Sequence, residues 1–448
     1  MSMKVLVIGS GGREHTISWA LAKSPSITEV ICVPGNGGTA SESKCKNIDP
    51  SQFPCFSNMN ILDTYVAIAK KEGCQIAVIG PEDPLAAGAA DILWNAGIPV
   101  VGPKSKGASL EASKDVAKQF MQKYGVSCAE SKTFCNADDA KAYINKKGVP
   151  IVVKADGLAA GKGVVVATTM NAALDAVDEF MTQGTLGSAG KKIVIEEYLQ
   201  GTEISVLSAV SVTPENIVSN KACIIPFVPA RDHKRLLDGA KGPNTGGMGA
   251  IAPLQDVTPE QMQAFDEEIL KPTLNGMIAE EMDYRGFIFF GIMLTKNGPK
   301  LLEYNVRLGD PETQAVLPLM DFDFYQLCKS IIDGSLKDFN CKWKPGYVCA
   351  PVAVSGGYPQ KYKRGVSLIL PPEHKENIKI FFAGATLDRR SATSTNLVTS
   401  GGRVLAVSAY GSTPEQAREY AYETMETIHF EGMFYRKDIG IPGAADSK

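Results

Sequence analysis

Strand-like and helix-like segments alternate through residues 1–103, and this alternation constrains the fold more than any other feature. The predicted strands are 4–8, 29–33, 75–79 and 99–101, and the predicted helices are 14–22, 62–72 and 84–96. Strands separated by helices are typical of a doubly wound parallel sheet, because parallel strands need a long crossover between them. We therefore predict that the chain begins with a doubly wound parallel-sheet α/β domain over residues 1–108.

The middle of the chain predicts a second, two-lobed α+β domain over residues 109–334. It opens with a helix-rich stretch at 109–123. Strands are then predicted at 151–154, 163–167 and 193–196, in a stretch rich in glycines and other small residues. We assign about 126–199 to a small mobile lobe, and the α/β segment 201–334 to a larger lobe.

The end of the chain predicts a small, strand-rich C-terminal domain over residues 335–440. Strands are predicted at 348–354 and 403–409, followed by a closing helix at 414–428. Pro414 follows a Ser–Thr pair, a sequence that favours a helix start. Residues 441–448 are small and polar, and we expect a disordered tail there.

Composition excludes several classes of function. The chain is 44% hydrophobic and 21% charged, as in ordinary soluble globular proteins, and its net charge of −3 gives no footprint for nucleic acid or an anionic membrane. Ten scattered cysteines without a C-x-x-C pair, together with four histidines, argue against a disulfide framework and a zinc centre. Neither a secretory leader nor an apolar stretch of about 20 residues is present. We expect a cytoplasmic monomer that acts on small molecules.

The segment 301–314, LLEYNVRLGDPETQ, carries the strongest chemical signal. Side chains alternate along a strand, so Glu303, Asn305 and Arg307 are predicted to share one face. A carboxylate and an amide oxygen suit Mg²⁺ or Mn²⁺, which share such ligands with phosphates. An arginine can grip a carboxylate through two parallel hydrogen bonds. The alternative, a solvated strand face with ordinary charges, is disfavoured by the GDPE turn at 309–312.

Glycine-rich loops follow the strands of the first domain and predict an anion site at the carboxyl edge of its sheet. Backbone N–H groups in such a loop point at an anion, and the helix N-terminus favours negative charge. A dinucleotide site would need an acidic residue after the second strand, but a second glycine-rich loop stands there. A phosphorylated sugar is the better ligand. The candidate contacts are Gly11, Gly12, Arg13, Glu14, Asn36, Gly37, Gly38, Pro81, Glu82 and Asp83.

Two more polar, glycine-rich loops lie in the second domain. The loop 154–164 carries Lys154, Gly161, Lys162 and Gly163 but is not a Walker A sequence, and its glycines and lysines suit phosphates. The loop 242–249 is too polar for a core. It is either a mobile surface loop or a cover over the substrates, with the cluster 231–235 nearby. Its candidate contacts are Asp232, Lys234, Arg235, Pro243, Asn244, Thr245, Gly246 and Gly247. His233 receives no catalytic role.

RLGDPETQ with the preceding E-x-N resembles the signature of the phosphoribosylamine–glycine ligase family, within the ATP-grasp superfamily. The resemblance runs from residues 5–9 to 430–435. It implies a pre-ATP-grasp domain and a two-lobed ATP-grasp domain. It also implies ATP-dependent ligation of glycine to 5-phosphoribosylamine, through glycyl phosphate, in de novo purine biosynthesis.

The resemblance also implies roles for individual residues. It places Lys114 and Lys154 on the ATP phosphates, with the hairpin glycines closing over the nucleotide. It places the metal on Glu303 and Asn305, with Arg307, Lys154 and Asp232 as the catalytic set. Adenosine would contact Glu196, Glu197, Tyr198, Leu199 and Glu203, and Gly309 and Asp310 would join the substrate contacts.

Several alternatives stay open at this point. Another ATP-grasp carboxylate–amine ligase or carboxylase would share most of these features, and a non-catalytic nucleotide-binding protein would share some of them. Arg307 suits either the glycine carboxylate or the transferring phosphate. No acidic residue lies in the apolar run 287–294, so the residues are compatible with one metal ion or with two bridged by Glu303. Arg403, after Gly401 and Gly402, suits either a substrate phosphate or a turn before a strand.

Overall fold

The computed structural model describes residues 3–53, 60–159, 161–371, 375–388, 396–441 and 443. Of the tail that we predicted to be disordered, only Ile441 and Gly443 fall within this part of the chain. The rest of that prediction lies outside the described residues.

The chain begins with a five-stranded parallel sheet in the order β3-β2-β1-β4-β5, which confirms the predicted fold class. Its strands are β1 (Met3–Gly9), β2 (Ile27–Pro34), β3 (Cys45–Asn47), β4 (Ile76–Ile79) and β5 (Val100–Val101). Its helices are α1 (Gly12–Ala22), α2 (Ile61–Glu72), α3 (Glu82–Ala86) and α4 (Ala89–Asn95). The single helix predicted at 84–96 is wrong. Gly88, with a φ of 88°, breaks it, because this left-handed conformation cannot continue a helix.

The helix-rich stretch predicted at 109–123 falls on two helices, α5 (Ser105–Ala112) and α6 (Lys114–Tyr124). Ser113 adopts an extended conformation between them, and its Oγ accepts a hydrogen bond from the Val116 N–H at 3.2 Å, so it caps α6. The Ser113 hydroxyl also donates to Asp156 Oδ1 at 2.8 Å. The break therefore places Lys114 at the start of α6, beside the glycine-rich loop.

The central region contains two antiparallel four-stranded sheets. The smaller sheet has the order β6-β9-β7-β8, with strands β6 (Ser131–Phe134), β7 (Ile151–Ala155), β8 (Val164–Ala167) and β9 (Ile193–Glu197) and helices α7 (Ala137–Lys147) and α8 (Met170–Val177). The larger sheet has the order β11-β10-β16-β17, with strands β10 (Thr202–Val212), β11 (Cys223–Pro226), β16 (Tyr284–Thr295) and β17 (Gly298–Asn305). Its helices are α9 (Pro214–Val218), α10 (Pro259–Phe265), α11 (Lys271–Ala279), α12 (Glu312–Val316) and α13 (Phe324–Asp333).

Strand β16 explains the apolar run at 287–294. Ile288 and Phe290 belong to one buried cluster and Phe287 and Phe289 to another, so both faces of the strand are covered. A strand buried on both sides needs apolar residues at every position rather than at alternate ones. β16 therefore provides a fixed base for β17, which carries Glu303 and Asn305.

The C-terminal sheet has the order β12-β15-β18-β22-β19. It combines β12 (Arg231–Asp232) and β15 (Gly249–Ala252) with β18 (Tyr347–Val354), β19 (Ile378–Phe382) and β22 (Arg403–Gly411), and helix α14 (Pro414–Met425) packs on it. Two-stranded pairs join β13 (Arg235–Leu237) to β14 (Lys241–Asn244) and β20 (Ala385–Leu387) to β21 (Leu397–Thr399). The sheet contains strands that precede residue 334 and strands that follow it. The domain boundary at 334/335 stays a prediction.

Throughout the described ranges, the helices are too short or too polar for any of them to cross a bilayer.

Candidate active site

Two cavities lie close to each other in the structure. The first, of about 510 Å³, is lined by residues of α6, the 154–164 loop, β12, the 242–249 loop and β17. It brings together fourteen of the predicted site residues: Glu82, Asp83, Lys114, Gly161, Gly163, Glu196, Asp232, Lys234, Thr245, Gly246, Glu303, Asn305, Arg307 and Asp310. The second, of about 690 Å³, is lined by Gly11, Asn36, Asp310 and Arg403, among others. Asp310 lines both cavities.

Glu303 and Asn305 lie side by side on the cavity face of β17, as the alternation predicts. The Asn305 amide N–H donates to Glu303 Oε1 at 3.4 Å. Burial opposes ionisation of Glu303, but Lys234, Lys154 and Lys114 outweigh it and lower the pKa of this carboxyl. The site therefore holds a charged carboxylate and an amide beside three lysines.

Arg307 lies just beyond the end of β17, and its guanidinium is already engaged by protein groups. Nη2 donates to Glu111 Oε1 and to Asn305 Oδ1, both at 2.9 Å, and Nε donates to Glu82 Oε2 at 3.2 Å. Nη1 donates to the Leu308 carbonyl at 3.3 Å. These bonds occupy four of the five N–H donors of an arginine. In this state a two-pronged grip on a substrate would have to displace Glu82 or Glu111.

Lys154 and Lys118 share one carboxylate deep in the site. Glu196 Oε2 lies 2.9 Å from Lys154 Nζ, and Glu196 Oε1 lies 3.2 Å from Lys118 Nζ. Burial opposes the charge of Glu196, but the two ammonium groups outweigh it and lower its pKa. The side chain of Glu196 therefore neutralises lysines. Lys154 is not in the lining of either cavity and connects to the first one through Glu196.

Replacing Glu196 by glutamine should lower the free energy of unfolding by about 3 kcal/mol, because it leaves two buried ammonium groups without a counter-charge. Urea denaturation measures the loss. The same substitution at Glu431, which is 74% exposed and 2.8 Å from Lys363, should cost less than about 1 kcal/mol. The wild-type advantage should be present above the ordinary glutamate pKa of 4.5 and disappear as the pH falls through the lowered value. Equal losses of unfolding free energy in the two variants would contradict the role of Glu196 as the buried counter-charge of Lys118 and Lys154.

Asn36 holds the wall of the second cavity. Its amide N–H donates to the carbonyls of Ser10 at 2.9 Å and Phe382 at 2.7 Å, and its Oδ1 accepts from the backbone N–H groups of Gly38 and Thr39 at 2.8 and 3.0 Å. One buried side chain thus joins both glycine-rich loops of the first domain to β19. The predicted sugar-phosphate edge therefore has its opposite wall in the C-terminal sheet.

Asn36→Asp keeps the acceptor but turns a carboxylate oxygen toward two carbonyls, so the free energy of unfolding should fall by about 2 kcal/mol. The KM for the substrate that binds in the second cavity should rise as well. Urea denaturation and steady-state kinetics measure the two effects. Asn60→Asp is the matched control, since Asn60 caps α2 and aspartate caps equally well. A stable Asn36→Asp variant would contradict the role of Asn36 as the fixed point of the cavity.

Other predicted residues lie outside the lining of both cavities. Several of them contact residues of the lining. Arg13 Nη1 lies 3.8 Å from Glu82 Oε2, and Glu203 pairs with Lys234. Glu14 Oε2 accepts a hydrogen bond from the Gly11 N–H at 2.5 Å. Arg235 Nη1 donates to the Gly242 carbonyl at 2.8 Å in the β13–β14 pair. The remaining ones that line neither cavity are Gly12, Gly37, Gly38, Pro81, Lys162, Glu197, Tyr198, Leu199, Pro243, Asn244, Gly247 and Gly309.

Sequence reasoning missed Glu111, Lys118 and Glu312, which all line the first cavity, and did not assign Arg403. A signal existed for Lys118: it follows Lys114 by four residues on one helix, which puts both on the same face. Arg403 Nη1 donates to the carbonyls of Gly246 at 2.5 Å and Asp310 at 2.7 Å, so it ties the 242–249 loop to the GDPE turn. No local pattern connects residues so far apart in sequence.

Comparison with known proteins gives a consistent result. Models of the phosphoribosylglycinamide synthetase N domain, ATP-grasp (A) domain and C domain match residues 3–111, 112–313 and 348–442. A phosphoribosylamine–glycine ligase of Clostridium acetobutylicum is 46% identical over 438 residues, which cover 98% of this chain and 99% of that protein. The crystal structure of the Thermotoga maritima phosphoribosylamine–glycine ligase matches with a TM-score of 0.79 and 33% identity, covering 98% of this chain and 100% of that one.

A more distant structure shares the fold. The biotin carboxylase domain of Hydrogenobacter thermophilus 2-oxoglutarate carboxylase matches with a TM-score of 0.71 over 96% of this chain and 91% of that one. Its identity is 16%, so the likeness concerns architecture alone.

Proposed function

The chain belongs to the phosphoribosylglycinamide synthetase family, and from this premise we propose how its two cavities divide the reaction. The protein is an ATP-dependent carbon–nitrogen ligase of purine biosynthesis that joins glycine to 5-phosphoribosylamine. ATP is its co-substrate. What remains to be assigned is where each substrate lies and which side chains act on it.

We place ATP in the first cavity and the phosphoribosyl group in the second. The observation that carries this division is that Asp310 lines both cavities, so that ligands in the two would meet there. Lys114 and Lys118 line the first cavity and Lys154 lies behind Glu196, so three ammonium groups outnumber the one Glu196 carboxylate and suit phosphates. Residues of the 154–164 hairpin also line this cavity. The second cavity offers the glycine-rich edge of the parallel sheet together with Arg403, which suits a phosphate.

Glu303 and Asn305 would hold Mg²⁺ or Mn²⁺. The donor set fits, because Mg²⁺ is bound through one or two protein oxygens together with substrate phosphates and water. Glu303 supplies a charged oxygen, and Asn305 Oδ1 is oriented by Arg307. When bound, the ion would neutralise charge on the transferring phosphoryl group.

The chain itself contributes position and charge. Glycine's carboxylate attacks the γ-phosphate of ATP, and the resulting glycyl phosphate is attacked by the amine of phosphoribosylamine. Phosphoryl transfer needs little covalent help from a protein, so fixed cations do most of the work. Arg307 keeps Asn305 in place, and the four bonds of its guanidinium leave one N–H for a substrate oxygen. We further propose that the enzyme acts as a monomer, since one chain lines both cavities.

Release of ADP with each substrate omitted in turn tests this function. Phosphoribosylamine is made in the cuvette from ribose 5-phosphate and ammonia. ADP should appear at a sustained rate only with Mg²⁺, glycine and the amine all present. Sustained release without glycine, or no release with the complete mixture, would contradict the proposal.

A further inference from the structure

Asp232 is a buried carboxylate whose bonding in the fold is incomplete. It lies on β12 and lines the first cavity. Its Oδ1 is enclosed and has no hydrogen-bond partner among the described residues. The 242–249 loop closes over this oxygen. A Cβ at Gly247 would lie 2.6 Å from Asp232 Oδ1 and 2.4 Å from Pro311 Cδ. Such an oxygen is costly unless a ligand or a proton compensates it.

Charged groups from four surrounding segments act on this carboxylate. Glu312 comes from α12, Glu203 from β10, Lys234 from the residues after β12, and Arg403 from β22. Burial and the negative charge of Glu312 together raise the pKa of Asp232 well above its ordinary value, against the pull of Lys234 and Arg403. Lys234 pairs with Glu203, and Arg403 lies 3.4 Å from Asp310 Oδ2. A carboxylate with a raised pKa accepts a proton more readily than an ordinary carboxylate does.

The ligation requires a proton acceptor. The amine nitrogen of phosphoribosylamine attacks the carbonyl carbon of glycyl phosphate and the N–C bond forms. The C–O bond to phosphate breaks, and phosphate leaves with the electron pair. The nitrogen then carries one proton too many. This step falls where the two cavities meet, and Asp232 lies near that junction, between the 242–249 loop and Arg403, which lines the second cavity.

We propose that the Asp232 carboxylate takes this proton as the general base of the amide-forming step. The inference rests on the proposed function, because it needs phosphoribosylamine in the second cavity. Asp232 then acts after phosphoryl transfer and leaves the formation of glycyl phosphate to the lysines and Arg307.

Rapid-quench kinetics of Asp232→Asn separate the two steps. With all substrates present, the variant should release about one ADP per active site at the wild-type rate. Amide formation should then be slower by roughly 10²–10⁴-fold, the usual contribution of a general base. Asp232→Glu, which restores a carboxylate, should recover part of this loss. Thermal unfolding of both variants checks their folding.

The other outcomes overturn the inference. A slow reaction without the ADP burst would mean that Asp232 serves glycine binding or the local structure. Unchanged amide formation would mean that it has no role. A wild-type enzyme that forms no amide at all would instead refute the proposed function, so the two failures are distinguishable.

Glu312→Gln provides a readout that a purely structural role would not move. Removing the neighbouring negative charge lowers the pKa of Asp232, so the base stays deprotonated to lower pH. The acid limb of amide formation against pH should therefore shift to lower pH. An unshifted limb, or a shift to higher pH, would contradict Asp232 as the group whose ionisation controls amide formation.

Discussion

Replacing Glu303 by glutamine should lower metal-dependent ligation by roughly 10²–10³-fold, equivalent to several kcal/mol of transition-state charge stabilisation. Glutamine keeps the shape and one oxygen but removes the charge. Glu303 is held ionised by Lys234, Lys154 and Lys114, so its carboxylate has a full negative charge to offer a cation. The measurement is the rate of ADP release over a series of Mg²⁺ and Mn²⁺ concentrations.

The expected pattern distinguishes loss of the metal from loss of the fold. The variant should need far more metal for half-maximal rate, while its thermal unfolding stays close to that of the wild type. Lys300→Gln, on the same strand, removes a charge from a residue outside the cavity lining and should leave the rate unchanged. Wild-type turnover of Glu303→Gln at every metal concentration would remove this residue from the metal site.

Local patterns were sufficient for several strands, such as β1 and β7, and for the face of β17. Alternation along residues 303–305 places a carboxylate and an amide together, and the structure keeps them 3.4 Å apart. The alternation in the sequence did not show that the strand ends at Asn305. The break at Gly88 had a local signal, because glycine adopts the left-handed conformation more readily than other residues, so the error at 84–96 was avoidable. Ser113 is likewise a residue type that favours a helix start.

What the sequence could not provide are contacts between distant segments. Asn36 bonds to Phe382, and Arg403 bonds to Gly246 and Asp310, and no periodicity connects such pairs. The sequence also did not show which charged side chains form ion pairs. Glu196 sits on a strand that suits adenine contacts, yet its carboxylate neutralises Lys118 and Lys154. A residue type at a position predicts a strand face, whereas its charge partner depends on tertiary packing.

Arg307→Lys should lower the rate of ligation by at least roughly 10²-fold, because misplacement by about 1 Å in an active site already costs that much. The structure changes the reason for this expectation. From the sequence, the arginine was expected to grip a substrate anion with two prongs. In the folded chain the same fork holds Glu111, Asn305 and Glu82 at once. A lysine is a point charge and cannot hold three oxygens in fixed directions.

The loss of activity should therefore come from an Asn305 side chain that is no longer held in position by Arg307. In Arg307→Lys, kcat should fall and the metal concentration for half-maximal rate should rise, although the substituted residue is not itself a metal ligand. Glu111→Gln is the matched control, since it keeps an acceptor for Arg307 Nη2 and should retain more activity than Arg307→Lys. If instead only the KM for glycine rose, with kcat and the metal requirement unchanged, Arg307 would be a glycine-binding residue and its hold on Asn305 would be incidental.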